Sequence, residues 1–522
     1  MKLTEIKTTY IKGLPTQVIN KVIVAEVTRD NIFETVSALH ASHHLPLLTI
    51  KATDQRKEGN GFVLYYVFGI PHAAYTLALA LQVKNNRFPS LVPVLFEAAL
   101  YEQEIKTFFG LTPEGNPFTN QLILHENWPD DVYPLRKDFP WNKRVPISNG
   151  QPYVFQHISG EGIYQIPVGP VHAGIIEPGH FRFSVIGEKI LSLQAQLGYV
   201  HKGSEKLFEH LSLSDKLKLS EHISGDMSFA HSLAFCQALE DLAGIEATSY
   251  AKYVRVIFSE LERLVNHIND VGFILNDTAF AFGGSNGMRL REEVMQINER
   301  LAGSRFLREI NCVGGVTKEI PAKLLEDAVK TLEHISRDFQ EFIAIAEDTE
   351  TVMNRLKGTG YLSLQTAKDH GVVGMAARMT GLAKDARVSY PYAGYGQLHH
   401  KMVLQHSGDV YARFQLRIEE VYESIRLITS AVTHVQKEEI VLAVPVKDFA
   451  KESMAVGITE GWRGEIVYLV MTDQQGEITR VGVRDPSFLN WPAVSYAVEG
   501  NIVPDFPLIN KSFNLSYSGF DR

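Results

Sequence analysis

The sequence predicts an α+β protein, with a small N-terminal α/β domain followed by a large, mainly helical domain that carries β-hairpins at both ends. Three observations point there. About the first 140 residues alternate between strand and helix periods of hydrophobicity, long helical stretches fill the middle, and about the last 85 residues return to strands around a tight turn. A chain of 522 residues, 45% hydrophobic and 21% charged, has room for two to four domains at about 100–200 residues each, with a sizeable core.

In the first domain, strand-like runs lie at Gln17–Val27 and Gly61–Ile70, and helical patterns at Asn31–Ser42 and Leu95–Phe108. In the last of these, Phe96, Ala99, Leu100, Ile105 and Phe108 recur near helical spacing. The alternation predicts strands covered by helices on one side. Gly110 to Asn120 is rich in Gly, Pro and Asn, and Trp128 to Trp141 carries three prolines among charges and aromatics. Such a segment cannot be a regular element and reads as a strap laid on a neighbouring surface. The boundaries that follow are 1–127 for the first domain, 128–152 for the strap and 153–522 for the large domain.

Beyond the strap, short β-like pieces come first, at Val154–Ile158 and Gly179–Gly187. Helices are predicted at Ser228–Leu242, Tyr250–Leu275, Arg289–Ile310, Ala322–Glu347 and Asp409–Gln436. In the second, Val254, Phe258, Leu261, Val265, Ile268 and Val271 form one stripe facing a core. Strands at Gly464–Thr472 and Glu477–Arg484 flank the turn Asp473-Gln474-Gln475-Gly476.

Composition excludes several classes. With 51 Lys+Arg against 60 Asp+Glu the net charge is -9, so no basic face invites nucleic acid. No run approaches the ~18 apolar residues of a spanning helix, and the first residues lack the apolar core of a signal peptide. The two cysteines, Cys236 and Cys312, lie in no cluster and read as small buried hydrophobes. They cannot supply a cubane cluster, and nothing is spaced for structural zinc. No phosphate-binding loop, dinucleotide fingerprint or H-E-x-x-H occurs. Gly283-Gly284-Ser285-Asn286-Gly287 before a helix could cradle an anion but reads rather as a flexible helix entry, and the pairs His43-His44 and His399-His400 point apart. Physical reading alone yields a large helical protein without a redox centre of its own.

A resemblance runs through the whole chain. Tyr101-Glu102-Gln103-Glu104 with Phe108-Phe109-Gly110, and Tyr133-Pro134-Leu135-Arg136-Lys137-Asp138-Phe139-Pro140, resemble the 30 kDa subunit of respiratory complex I. Ile166 to His172, Glu177-Pro178-Gly179-His180-Phe181-Arg182, Tyr199 to Leu207 and Ser228-Phe229-Ala230-His231-Ser232 resemble the 49 kDa subunit and the hydrogenase large subunit. So do Gly408 to Arg413, Arg463-Gly464-Glu465, Asp485 to Pro492 and the final Asp521-Arg522. The order of landmarks is similar to that in the large subunit of formate hydrogenlyase-type membrane-bound [NiFe] hydrogenases.

The departures from that family carry as much information. Its nickel enzymes hold nickel and iron with four thiolates from two C-x-x-C pairs, and the corresponding positions here are Ser224, Met227, Ser516 and Gly519. Hydroxyls, a thioether and a glycine are poor substitutes, so the resemblance implies that nickel is absent. Complex I turned its own vacated cavity into a quinone site with a Tyr and a loop His, at which this chain has Gly225 and Glu177. By resemblance Glu177 handles protons, with His180 close by in sequence. Asp226 is either a second proton site or the partner of an arginine. His172 and His180 either face the cavity or pin their loop. Arg378, Lys384, Asp385 and Arg387 match a stretch of the family's cavity wall, with a surface charge mix as the alternative. His231, with Phe235 and Leu239 on its helix face, reads as a satisfied core histidine, and Asp409 with Arg413 as an intrahelical pair.

The resemblance implies an electron-transfer subunit of a complex I-like, energy-converting hydrogenase-related complex. Electrons would come from a [4Fe-4S] cluster in a small partner subunit and reduce an acceptor, foremost a quinone, in the former nickel cavity. Ferredoxin-like iron–sulfur and antiporter-like membrane subunits would complete the complex, with this chain peripheral on the cytoplasmic side of the cytoplasmic membrane and binding no cofactor alone. The rival expectation is a catalytically silent scaffold that passes coupling between partners.

Overall fold

A computed structural model describes residues 3–118, 120–150, 152–172 and 176–522. The N-terminal domain is built on a five-stranded sheet of order β1-β2-β5-β4-β3. Its strands are β1 (Thr16–Ile19), β2 (Val22–Val27), β3 (Leu47–Gln55), β4 (Gly61–Phe68) and β5 (Thr76–Val83). The expected run Gln17–Val27 is two strands, because Asn20 takes φ 52 and folds β1 back on β2 with Ile19 opposite Val22. β3 escaped the alternation pattern for a physical reason: all but its last residue are buried, so both faces are covered and period two is lost.

Helix α1 (Ala98–Phe109) packs on β3 and ends at Gly110, whose φ of 65 is a left-handed cap. A Cβ there would lie 2.4 Å from Cζ of Tyr133, so the glycine also makes room for the strap. The segment from Tyr133 to Lys137 is tied down by several contacts. Arg136 Nε donates to the Phe109 carbonyl at 2.7 Å, the Lys137 amide donates to Asp54 at 2.8 Å, and the Lys137 ammonium meets Glu209 at 3.0 Å.

The two domains are joined by buried charge. Lys51 of β3 lies 3.2 Å from Glu104 of α1 and 2.9 Å from Glu205 of the large domain. Arg522 reaches Glu104 at 2.6 Å, and Arg480 reaches Glu205 at 2.7 Å. Every member is at least nine-tenths buried, so removing one would leave an uncompensated charge in a dry interface.

The large domain opens with the antiparallel sheet of β6 (Ile163–Val168), β7 (His180–Ile186) and β8 (Lys189–Gln196). The expected strand at Val154–Ile158 does not form. The bundle comprises α2 (Ser228–Ala243), α3 (Ser249–Asp277), α4 (Ala281–Ala302), α5 (Ala322–Glu347) and α6 (Val410–Val435). α3 is the central member, packing on both α4 and α6, and its predicted apolar stripe is buried. Gly283, Gly284 and Gly287 lie inside α4 rather than before it. At Gly287 a Cβ would sit 2.5 Å from the Gly272 Cα, so this glycine serves close contact between α3 and α4 and not an anion cradle.

A second antiparallel sheet follows, formed by β9 (Met454–Glu460), β10 (Glu465–Thr472) and β11 (Ile478–Arg484). Helices α7 (Pro486–Val498) and α8 (Tyr517–Asp521) close the chain. Asp409 and Arg413 do not pair as expected: Asp409 caps α6 at the Ala412 amide, 2.8 Å, while Arg413 donates to Ser512 Oγ at 2.7 Å. Capping and tertiary acceptors satisfy both groups better than an exposed i, i+4 pair would. Among the described residues, no helix is long and apolar enough to cross a membrane.

Candidate functional site

Three segments converge where the resemblance places a metal: the N-terminal end of α2, the turn between β9 and β10, and α8. Ser516 caps α8, accepting the Gly519 amide at 2.8 Å. Its Oγ lies 2.9 Å from Ser224 Oγ, which lies 3.0 Å from Asp226 Oδ1. A hydroxyl carries one proton, so the bonds run in one sense, from Gly519 through Ser516 and Ser224 to the Asp226 carboxylate. Arg463 closes the chain with a two-pronged grip on Asp226, at 2.6 and 2.7 Å.

Backbone contact fixes Arg463. The turn Gly461–Gly464 is held by reciprocal amide–carbonyl bonds of 2.8 and 3.0 Å. Gly464 takes φ 146 and rests on Gly374, where an added Cβ would lie 2.0 Å from the Gly464 Cα. The Arg463 guanidinium stacks over Trp462 at 3.9 Å, and the Trp462 indole donates to the Asp226 carbonyl at 3.0 Å. Burial pulls the Asp226 carboxyl up, but the Arg463 charge and hydrogen bonds outweigh it and hold the group below the usual carboxylate range. Of the two roles open to Asp226, the geometry therefore realises the arginine pair.

Glu177 approaches α8 from the loop before β7, and its Oε2 accepts the Ser518 amide at 3.2 Å. Ser518 Oγ donates to the Ile223 carbonyl at 2.6 Å and receives the ammonium of Lys202. Burial lowers the Lys202 pKa, opposed by the charges of Glu177, Asp521 and Asp485. His172 and His180 pin the same loop: His172 Nε2 lies 2.8 Å from the Gly179 carbonyl, and His180 Nδ1 lies 3.3 Å from that of Gly169.

Arg378, Asp385 and Arg387 come together elsewhere, in a fully buried ionic cluster between α3 and α6. Arg387 meets Asp385 at 2.7 Å, Glu420 at 3.0 Å and Glu260 at 3.2 Å, and Arg378 also pairs with Glu420. His400 bridges Asp385 and Glu423 at 3.2 and 3.1 Å. Lys384 stands apart, facing His40 and Glu97 electrostatically. His231 is a satisfied core histidine, 3.1 Å from the Tyr468 hydroxyl and 3.0 Å from Asp485.

Arg463 and Lys202 stand in the sequence only as landmarks of the resemblance, with no role assigned. Glu262 was not singled out at all: it caps α2 by accepting the Phe229 and Ala230 amides at 2.7 and 3.1 Å, and it shares a cleft of about 40 Å³ with Asp226. Burial pushes its carboxyl up to about 8, within reach of neutral pH. A signal existed, because Glu260, Glu262, Arg263, His267 and Asp270 interrupt the apolar helix α3, and charges inside a buried helix need partners.

The residues at the four positions where the resemblance places nickel ligands, Ser224, Met227, Ser516 and Gly519, do not fit a nickel–iron group. Two are hydroxyls bonded to each other, Met227 is buried with its sulfur against Gly461, and Gly519 offers no donor. A Cβ at Gly519 would lie 2.4 Å from the Asp485 carboxyl carbon, so even the first atom of a cysteine side chain lacks space. Among the described residues, no group of three His, Cys, Asp or Glu side chains could hold a metal ion.

Comparison with known proteins agrees with this architecture. Residues 25–145 match the family described as respiratory-chain NADH dehydrogenase, 30 Kd subunit, and residues 277–456 and 445–522 match the 49 Kd subunit. Formate hydrogenlyase subunit 5 of Escherichia coli (strain K12) is 31% identical over 499 residues, covering 94% of this chain and 87% of the relative. Hydrogenase-4 component G of the same organism is 31% identical over 495 residues, covering 94% and 86%. The NADH-quinone oxidoreductase C/D subunit of Phocaeicola vulgatus is 27% identical over 472 residues, covering 85% and 89%. These relatives are subunits of oxidoreductase complexes, and the chain belongs to their family, in which 30 kDa-like and 49 kDa-like complex I domains are fused in one polypeptide.

Proposed function

We propose that the chain is the electron-transfer subunit of a complex I-like, hydrogenase-related membrane complex without nickel. In this reading an iron–sulfur cluster in a small partner subunit supplies electrons, and an acceptor, foremost a quinone, takes them beside the former ligand positions. One observation carries the reading: those positions are ringed by ionisable groups, Glu177, Lys202, Asp226, Glu262 and Arg463, rather than refilled by apolar side chains. A quinone taking up two electrons also takes up two protons, and a positioned acid raises the rate of such transfers by about 10²–10⁴-fold. Glu177 would hold the proton on the Ser518 side and Glu262 on the α2 side, while Arg463 supplies positive charge where negative charge develops.

A second reading, a silent coupling scaffold, is favoured by one specific feature. The cleft at Asp226 measures about 40 Å³, room for water and not for a ring, so an acceptor would have to push its walls apart. The assembled complex, co-purified with its partner subunits, separates the readings. Electron transfer requires acceptor reduction that falls by about 10²–10⁴-fold in Glu177→Gln, with cluster reduction and complex yield unchanged. Wild-type turnover in that variant removes Glu177 from the mechanism, no turnover in the wild type establishes the scaffold, and one nickel per chain by elemental analysis overturns both.

A further inference from the structure

A cleft of about 430 Å³ lies between the N-terminal domain and the C-terminal part of the large domain. Its walls carry aromatic side chains, Phe96 and Phe118 from the first domain, Trp491, Tyr496 and Phe520 from the second. Polar ones such as Gln103, Gln194 and His370 stand between them. That volume suits a small organic molecule that makes both apolar and polar contacts.

One of its polar groups is unusual. Glu97, the residue before α1, is 8% exposed, and among the described residues its carboxyl has neither a hydrogen bond nor an ion pair. It rests over Gly371, where an added Cβ would lie 1.6 Å from Oε2. The other deeply buried carboxylates described above each have a direct partner, an arginine or lysine for most, two helix amides for Glu262 and His231 for Asp485, whereas Glu97 feels Lys384 and Arg484 only at longer range. Burial raises its pKa accordingly. The His370 ring also lines the cleft, edge-on to Phe96 and tilted against Tyr496, with both centroids at 4.8 Å.

We propose that this cleft binds a small planar organic cation, an aromatic amidinium or a protonated nitrogen heterocycle, with its N–H groups on Glu97 and its ring among Phe96, Trp491 and Phe520. A buried carboxyl without a direct partner lacks hydrogen-bond donors and has its counter-charges only at longer range, and a flat N–H-bearing cation supplies both in contact. Aromatic faces attract the same cation through their quadrupole. A neutral amide would supply donors alone, and an anion neither. The site is separate from the former metal positions and does not depend on the function proposed above. It does touch them, because the Trp491 indole donates to the Ser516 carbonyl at 3.2 Å and its ring meets Tyr517 at 4.9 Å.

The test uses the full chain with benzamidinium, benzamide and benzoate as probes, followed by calorimetry and tryptophan fluorescence. Benzamidinium should bind saturably and quench emission, benzamide should bind at least about tenfold more weakly, and benzoate more weakly still. Glu97→Gln, nearly isosteric, should reduce benzamidinium to the affinity of benzamide. Trp491→Phe should abolish the quench while calorimetric binding remains, and Phe118→Ala at the exposed rim should weaken both ligands. Benzamidinium binding no tighter than benzamide, or unchanged in Glu97→Gln, overturns the proposal. So does loss of the site when the partner subunits assemble, since the cleft would then be a protein interface.

Discussion

Replacing Glu262 by glutamine should flatten the loss of stability with rising pH. Burial pushes the Glu262 carboxyl up to about 8 from the ordinary 4.5, with the Phe229 and Ala230 amides opposing and the Asp226 charge adding to the rise. A carboxyl with a raised pKa binds its proton more tightly in the folded chain than in the unfolded one. Its contribution to stability is complete below 4.5 and is lost as the pH climbs through about 8. The slope is about 1.4 kcal/mol per pH unit near pH 6 and about half that at pH 8, where the group is half ionised, or about 2 kcal/mol in all between the two. At about 2.1 cal/mol/K per residue, 522 residues unfold with an entropy of about 1.1 kcal/mol/K, so the shift is about 2 °C in Tm. Glutamine cannot ionise. It also gives up one cap, because its amide nitrogen cannot accept the second of the two N–H groups, and this lowers Tm equally at both pH values. The assay is therefore a difference of differences: Tm at pH 6 minus Tm at pH 8, wild type against Glu262→Gln, by scanning calorimetry of the same preparation. Equal drops in the two proteins, within about one degree, would refute the reasoning.

Gly519→Ala should destabilise the chain by about 1–3 kcal/mol in denaturant titration, because its Cβ would meet the Asp485 carboxyl at 2.4 Å and push it off His231. Arg387→Lys should cost about 3–5 kcal/mol by the same measurement, since one ammonium cannot span Asp385, Glu420 and Glu260 as the guanidinium fork does. Asp226→Asn should cost less, about 1–2 kcal/mol, because 40% of the Asp226 side chain is solvent-accessible and water screens the charge left on Arg463. A larger loss in Asp226→Asn than in Arg387→Lys would contradict the burial argument behind both.

The long helices were legible in the sequence because each must bury one stripe, and α2, α3, α5 and α6 lie within a residue or two of their predicted bounds. β3 was not, since full burial erases the alternation that marks a strand. The start of α4 was misplaced because its glycines read as a breaker, when Gly287 serves contact with Gly272. At the candidate site, the segments that converge were marked by resemblance, Arg463 among them, but its pairing with Asp226 was not. Arg463 lies 237 positions away in the chain, and only the turn between β9 and β10 brings it home. Lys384 sits one residue from Asp385 yet points to another environment, a reminder that adjacency in sequence divides neighbours between opposite sides of a loop.

The rest of Gly464 on Gly374 has a genetic consequence. Arg463 is aimed by a turn whose seat belongs to a different segment, and that seat has no space for even a methyl group. Substitutions at Gly374 should thus surface in a random screen with the phenotype of Arg463 variants, although Gly374 offers no side chain to any chemistry. Second-site revertants of such lesions should fall in the turn Gly461–Gly464, where a small backbone shift can restore the seat, and not among the charged residues themselves.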